Sequence, residues 1–256
     1  MAETGRYLYA VARNVEQADL SAVSGFRGAP VRLVGHRELV AVVSDVDLEE
    51  FGEDGLRKNL EDLRWLEEVA RTHHAVVNAV AREAPAAPLR LATICLDDRA
   101  VRERLDEWHG ALLAALRRVE GRTEWSVKAL AARRPATPEA SPESAAGPGA
   151  GAAYLMRRKA AVAQRESAER AAAALADEVH RELSGHAVAS RRLPPQDRRL
   201  TGHEGTMTLN GAYLVEDNRA AEFRAAVREL DTGHPDVRLD ISGPWPPYSF
   251  AVLEEP

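Results

Sequence analysis

The segment Glu124-Trp125-Ser126-Val127-Lys128-Ala129-Leu130 reads as a strand, and the elements after it decide the fold of the second half of the chain. From about Tyr154 to Leu183 runs a helix rich in Ala, Arg and Glu, with Leu155, Val162, Leu175, Val179 and Leu183 as its larger apolar anchors. Alanine's high helix propensity carries what those anchors do not, and Gly185 ends the helix. Ala187 to Leu193 and Thr206 to Val215 read as strands joined by a polar loop that carries Pro194-Pro195. The last helix puts Ala220, Phe223, Val227 and Leu230 on one face and terminates near Gly233 and Pro235. The final strand is Val237 to Ser242. The order β-α-β-β-α-β is the ferredoxin-like split βαβ arrangement, in which two helices cover one face of an antiparallel sheet.

The first half has a different order. Tyr7 to Ala12 reads as a strand, and the turn-rich Gly25 to Pro30 leads into Val31 to Val34. Gly35-His36-Arg37-Glu38 then turns into Leu39 to Val43, a hairpin signature. Asp45 to Asp54 is acidic and reads as a loop. Leu56, Leu60, Leu63, Leu66, Ala70, His73, Val77 and Val80 recur at three- and four-residue steps, the stripe of one long amphipathic helix that stops before Pro85. Leu89 to Leu96 is a strand, and Asp97 or Asp98 can cap a helix with the stripe Val101, Leu105, Trp108, Leu112, Leu116 and Val119. Gly121 is placed to end it. This order, β-ββ-α-β-α, matches no common fold. An α+β protein of two domains is expected, the first at 1–120 and the second at 121–256. The stretch Arg134 to Ala153, with Pro135, Pro138, Pro142 and Pro148 among glycines and alanines, offers no packed face and reads as a mobile insertion in the second.

With 256 residues, 45% of them hydrophobic, the chain can bury a genuine core. Aromatics make up only 5%, so aliphatic side chains and alanine are expected to do most of the packing. The net charge is −6, without the basic stripe of a nucleic-acid binder. The single Cys95 excludes an intramolecular disulfide and a Cys-rich zinc site, fits a reducing cytosol, and sits in an apolar run as a buried, inert thiol. The beginning Met-Ala-Glu-Thr-Gly-Arg holds no apolar signal region, and no stretch approaches the ~20 apolar residues that span a bilayer. A soluble, cytoplasmic protein is expected.

A search for chemistry leaves no active site. His73-His74 are neighbours whose side chains point about 100° apart on a helix, so both cannot ligate one metal. His73 falls on the apolar stripe as a core histidine, and His74 faces elsewhere with Asn78 one turn on. Asp45-Val46-Asp47-Leu48-Glu49 starts like a calcium loop but has Glu50 where position six requires glycine and Leu56 where position twelve requires glutamate. His203-Glu204 is isolated, neither Ser184-Gly185 nor Ser242-Gly243 forms a nucleophile elbow, and Gly147, Gly149 and Gly151 form no phosphate loop. Arg157-Arg158-Lys159 can grip an acidic partner or serve as a solvated face. No catalytic residue, metal ligand or cofactor is assigned, and the reading is an interaction protein, not an enzyme.

The chain closes on Gly243-Pro244-Trp245-Pro246-Pro247-Tyr248-Ser249-Phe250. Three prolines in four positions cannot extend a helix, and the run lies between the strand Val237–Ser242 and a second expected strand, Tyr248 to Leu253. A rigid aromatic corner results, with Trp245 expected to pack inward. In a strand, Tyr248 and Phe250 would share one side, opposite Ser249.

This ending, with Asn-Gly-Ala-Tyr-Leu-Val at 210–215, Tyr-Leu-Tyr-Ala-Val-Ala at 7–12, Pro-Leu-Arg-Leu-Ala-Thr at 88–93 and the segment at 124–130, resembles the gas vesicle accessory proteins of the GvpF/GvpL family, in the family's order and over nearly the whole chain. Leu91-Ala92 stands where many members carry Phe-Gly, which looks like a substitution in the core. The resemblance implies two α+β domains, the second ferredoxin-like, and a minor accessory protein that binds the gas vesicle shell protein, and other accessory proteins, to assist nucleation or assembly. A cytoplasmic protein associated with gas vesicles is implied as well. Trp245, Pro246, Pro247, Tyr248 and Phe250 are the candidate partner-binding residues, with an exposed sheet edge beside them. The alternative is a ferredoxin-like domain that binds or transforms a small apolar ligand, for which no convergent polar groups are found.

Overall fold

The computed structural model describes residues 3–131, 150–196, 206–234 and 237–251. Residues 134–149 of the expected insertion, His203-Glu204, Pro235 and the residues beyond Ala251 lie outside them. In chain order the elements are β1 (Thr4–Ala12), β2 (Arg32–His36), β3 (Leu39–Asp47), α1 (Leu48–Phe51), α2 (Glu53–Asn59), α3 (Leu63–Glu83), β4 (Ala86–Cys95), α4 (Asp98–Glu107), α5 (His109–Val119), β5 (Arg122–Ala131), α6 (Ala150–Gly185), β6 (Ala189–Arg192), β7 (Thr206–Glu216), α7 (Ala220–Gly233) and β8 (Val237–Trp245).

Two four-stranded sheets organise the chain. The first has the order β2-β3-β1-β4, and every pairing in it is antiparallel. The expected hairpin is β2–β3, closed by Arg37-Glu38 between the paired His36 and Leu39. The second sheet has the order β6-β7-β5-β8, so the first and third strands of the β-α-β-β-α-β run lie at its centre. That is the ferredoxin-like arrangement. By packing, the chain groups into two units. The first comprises residues up to Trp125 with Leu214–Asp217 and the segment from Gly243 onward; the second comprises Ser126–Tyr213 and Asn218–Ser242.

The long first helix is broken. Asp45 to Asp47 complete β3, and the Asp47 carboxylate accepts the Glu49 amide (2.8 Å) to cap α1. Gly52 and Asp62 then start α2 and α3, the latter by accepting from the amides of Arg64 and Trp65. These caps satisfy amide donors that a helix start leaves without partners. The break takes Leu60 and Leu63 out of the buried stripe, which in α3 consists of Trp65, Val69, His73, Val76, Val77 and Val80. The second helix of the first half is likewise divided, at Trp108.

Sparse aromatics do more packing than their number suggests, because they are concentrated. Tyr7 and Tyr9 on β1, Phe26, Phe51 and Trp65 form one cluster in the first core. Phe26 meets Phe51 edge-on at 4.8 Å and Tyr7 meets Phe51 at 5.6 Å, the geometry that aromatic quadrupoles favour.

Candidate interaction surface

Strand β8 runs through the cis Gly243-Pro244 bond to Trp245. There is no second strand at Tyr248: the chain turns, with the amides of Phe250 and Ala251 both donating to the Pro247 carbonyl (3.1 and 2.9 Å). Strand alternation therefore does not apply to Tyr248 and Phe250. Pro246, Pro247 and Phe250 are buried and Tyr248 is half-buried, whereas Trp245 is 39% exposed. The expected inward Trp245 is thus corrected, since Phe250 is the residue that fills the core. The buried residues shape the corner, and Trp245 and Tyr248 are left to present it.

Four contacts hold the corner to the first unit. Ser249 donates its amide (2.7 Å) and its hydroxyl (2.6 Å) to the buried Glu124 carboxylate. Arg118 donates to the Phe250 carbonyl at 3.1 Å. Gly243, at φ +135°, lies against Trp125 so closely that a Cβ there would sit 3.1 Å from the indole, so glycine is required on both counts. The fourth contact is His74.

The histidine pair anchors two different things. His74 stacks on Tyr248 (centroids 6.0 Å apart) and meets Trp245 at 5.5 Å. With the Asn78 amide nitrogen donating to its Nε2 (2.7 Å), its Nδ1 carries the proton and faces the Tyr248 hydroxyl at 3.4 Å. His73 points into the core. The Ala92 amide donates to the Tyr7 hydroxyl (3.1 Å), which donates in turn to His73 Nδ1 (3.1 Å). Burial lowers the pKa of His73 from 6.5 to about 4, so the ring is neutral at neutral pH. Tyr7 and Tyr248 are pushed up by burial.

Beside this relay, β4 leaves its ladder. Leu8 pairs with Thr93 and Ala10 with Pro88, so Leu89 to Ala92 bulge from the sheet opposite Tyr9. Ala92 takes φ +59°, a left-handed conformation that glycine adopts without cost. The family's Phe-Gly position is therefore a strained bulge and not a core site, and Leu91 is 36% exposed. Leu91, His74, Leu89, Trp108 and Tyr248 line a cleft of about 520 Å³, with Arg90 and Arg104 among its polar members. Arg104 lies over Trp108, 4.7 Å from the ring centroid. Cys95 borders the same cleft as a buried thiol whose pKa burial raises, the opposite of an activated nucleophile. Sequence reasoning missed this cleft, whose one signal was the unusual Leu91-Ala92 pair.

The acidic residues near Asp45 serve internal partners. Asp45 pairs with Arg6 and Arg32, and Glu50 binds Arg27 and the Trp65 indole. Among the described residues no group of three or more His, Cys, Asp or Glu is arranged to hold a metal ion, and no helix is long and apolar enough to cross a membrane.

A sequence profile described as "Gas vesicle synthesis protein GvpL/GvpF" matches residues 5–252. The chain belongs to the GvpL/GvpF family. "Gas vesicle protein L" of Streptomyces sp. (strain CB03234) is 41% identical over 252 residues, covering 98% of this chain and 94% of that protein. "Gas vesicle protein F" of the same strain is 29% identical over 255 residues, covering 95% of this chain and 98% of that protein. The crystal structure of GvpF from Anabaena sp. PCC7120 shares the fold at a TM-score of 0.70 and 17% identity, covering 98% of each chain. GvpF from Microcystis aeruginosa does so at a TM-score of 0.65 and 18% identity, covering 97% of this chain and 99% of that one. Membership in the GvpL/GvpF family supports an accessory role in gas vesicles.

Proposed function

We propose that this protein is a cytoplasmic, non-catalytic assembly factor that binds the apolar shell subunit of the gas vesicle, alone or with other accessory proteins, and assists its nucleation or assembly. A shell that excludes water needs subunits with a strongly apolar face, and in water such a face is an aggregation hazard until it is covered. The observation that carries the reading is the apolar line Trp245, Tyr248, Leu91, in which Tyr248 stacks on His74, Trp245 meets the same ring at a tilt, and Tyr248 shares a cleft with Leu91. Its backbone is fixed by Glu124, Arg118 and the β4 bulge. A surface held rigid before binding loses little conformational entropy when a partner arrives.

The test is to dilute purified shell protein from denaturant with and without this protein and to sediment the mixture. The reading expects shell protein to stay in the supernatant in proportion to the amount of this protein added. Equal pelleting with and without it would count against the reading.

A further inference from the structure

The cleft beside the β4 bulge carries a positive charge that the fold does not neutralise. Its lining includes two arginines, Arg90 and Arg104, and no aspartate or glutamate. Arg90 already has a partner. The Arg104 side chain makes no hydrogen bond among the described residues, and its one ion pair there is with Glu107, three residues on, at 3.9 Å. Both members of that pair are exposed, and a long surface pair of this kind contributes little. The guanidinium is nevertheless oriented, because it lies over the Trp108 ring at 4.7 Å from the centroid. Stacking engages its face and leaves the fork of N–H donors at its edge open.

The rest of the lining is largely apolar, with Leu89, Leu91, Ile94 and Trp108 among its members. An oriented guanidinium in such a cleft suits a carboxylate, which takes two of its donors at once, and the pair strengthens as an arriving partner displaces water. We infer that the segment of the shell subunit received here presents an acidic residue beside an apolar one. Arg104 holds the carboxylate, and the apolar side chain lodges against Leu89, Leu91 and Trp108. This rests on the proposed shell-binding reading, because Tyr248 and Leu91 belong both to the cleft and to the line assigned to the shell subunit. A basic segment would meet Arg104 with like charge. A wholly apolar one would bury the guanidinium without an acceptor, which is costly.

The test is the affinity of the full chain for purified shell protein, measured for the wild type, Arg104→Lys, Arg104→Gln and Arg104→Glu. Arg104 is exposed, and circular dichroism checks that each variant keeps the fold. Arg104→Gln should weaken binding roughly tenfold, the scale of one hydrogen-bonded charge. Arg104→Lys should lose less, since it keeps the charge without the fork, and Arg104→Glu should lose most. Exchanging the acidic residues of the shell protein for lysine, one at a time, should find a position that weakens binding to the wild type and restores it to Arg104→Glu. Unchanged affinity in the folded Gln and Glu variants, or a loss that no exchange restores, would overturn the inference and leave the shell-binding reading intact. A wild type without affinity for shell protein would overturn both. Octanoate, a free apolar carboxylate, is the control: if it binds the wild type but not Arg104→Gln while shell affinity is equal in the two, the cleft serves a small acid and the inference fails.

Discussion

Acid should destabilise this protein largely through one side chain, His73. The ring is buried, accepts a hydrogen bond from Tyr7 at Nδ1, and has its pKa lowered from 6.5 to about 4. A histidine held neutral in the folded state contributes stability that is fully present above 6.5 and is lost as pH falls from there toward 4. At about 1.4 kcal/mol for each pH step, the loss amounts to roughly 3 kcal/mol, a large share of a domain's stability. Protonation would also turn Nδ1 into a donor facing a hydroxyl that already accepts from Ala92, so the β4 bulge should loosen with it. The assay is urea unfolding of the wild type and of His73→Gln, which keeps an acceptor for Tyr7 but cannot titrate. Between neutral pH and about pH 4 the wild type should lose roughly 3 kcal/mol more than the variant. Equal losses, or an NMR titration of His73 near 6.5, would show that His73 is not the acid-sensitive group.

Three further outcomes concern the corner and the bulge. Phe250→Ala should cost roughly 3–5 kcal/mol in denaturant unfolding, as for other buried phenylalanines. Trp245→Ala should cost about 1 kcal/mol, the scale of one aromatic pair on a part-exposed ring. Ala92→Gly should leave the melting temperature unchanged or raise it: relief of the left-handed strain, about 1–2 kcal/mol, outweighs or offsets the added freedom of the unfolded chain, about 0.4–1 kcal/mol. A loss near 1 kcal/mol, as in an ordinary helix interior, would show that Ala92 is not strained.

Much of the fold was legible because it rests on periodicity and punctuation. The hairpin at Arg37, the stop before Pro85 and the strand order after Glu124 all come from local patterns. The features that escaped depended on single side chains with distant partners. Nothing near Asp62 in sequence distinguishes a solvated acid from one that caps α3 and expels Leu60 and Leu63 from the stripe. The return of the segment from Gly243 to the first unit rests on Ser249 reaching Glu124, 125 positions away, and on His74 meeting Tyr248 across 174. For the same reason the corner was misread: Trp245 was placed inward, and strand alternation was applied to Tyr248 and Phe250 although it governs only a paired strand and the prolines turn the chain before one forms. The cleft was hidden because a bulge in β4 shows itself only in register.

The proposed function stands or falls on whether the Trp245–Tyr248–Leu91 surface binds the shell subunit. The decisive quantity is the dissociation constant for purified shell protein, measured for the wild type, Trp245→Ala and Leu91→Ser after each variant is shown to be folded. Each change is expected to weaken binding by about 2 kcal/mol, roughly thirtyfold, as at an interface hot spot. Unchanged affinity in both folded variants would rule this surface out.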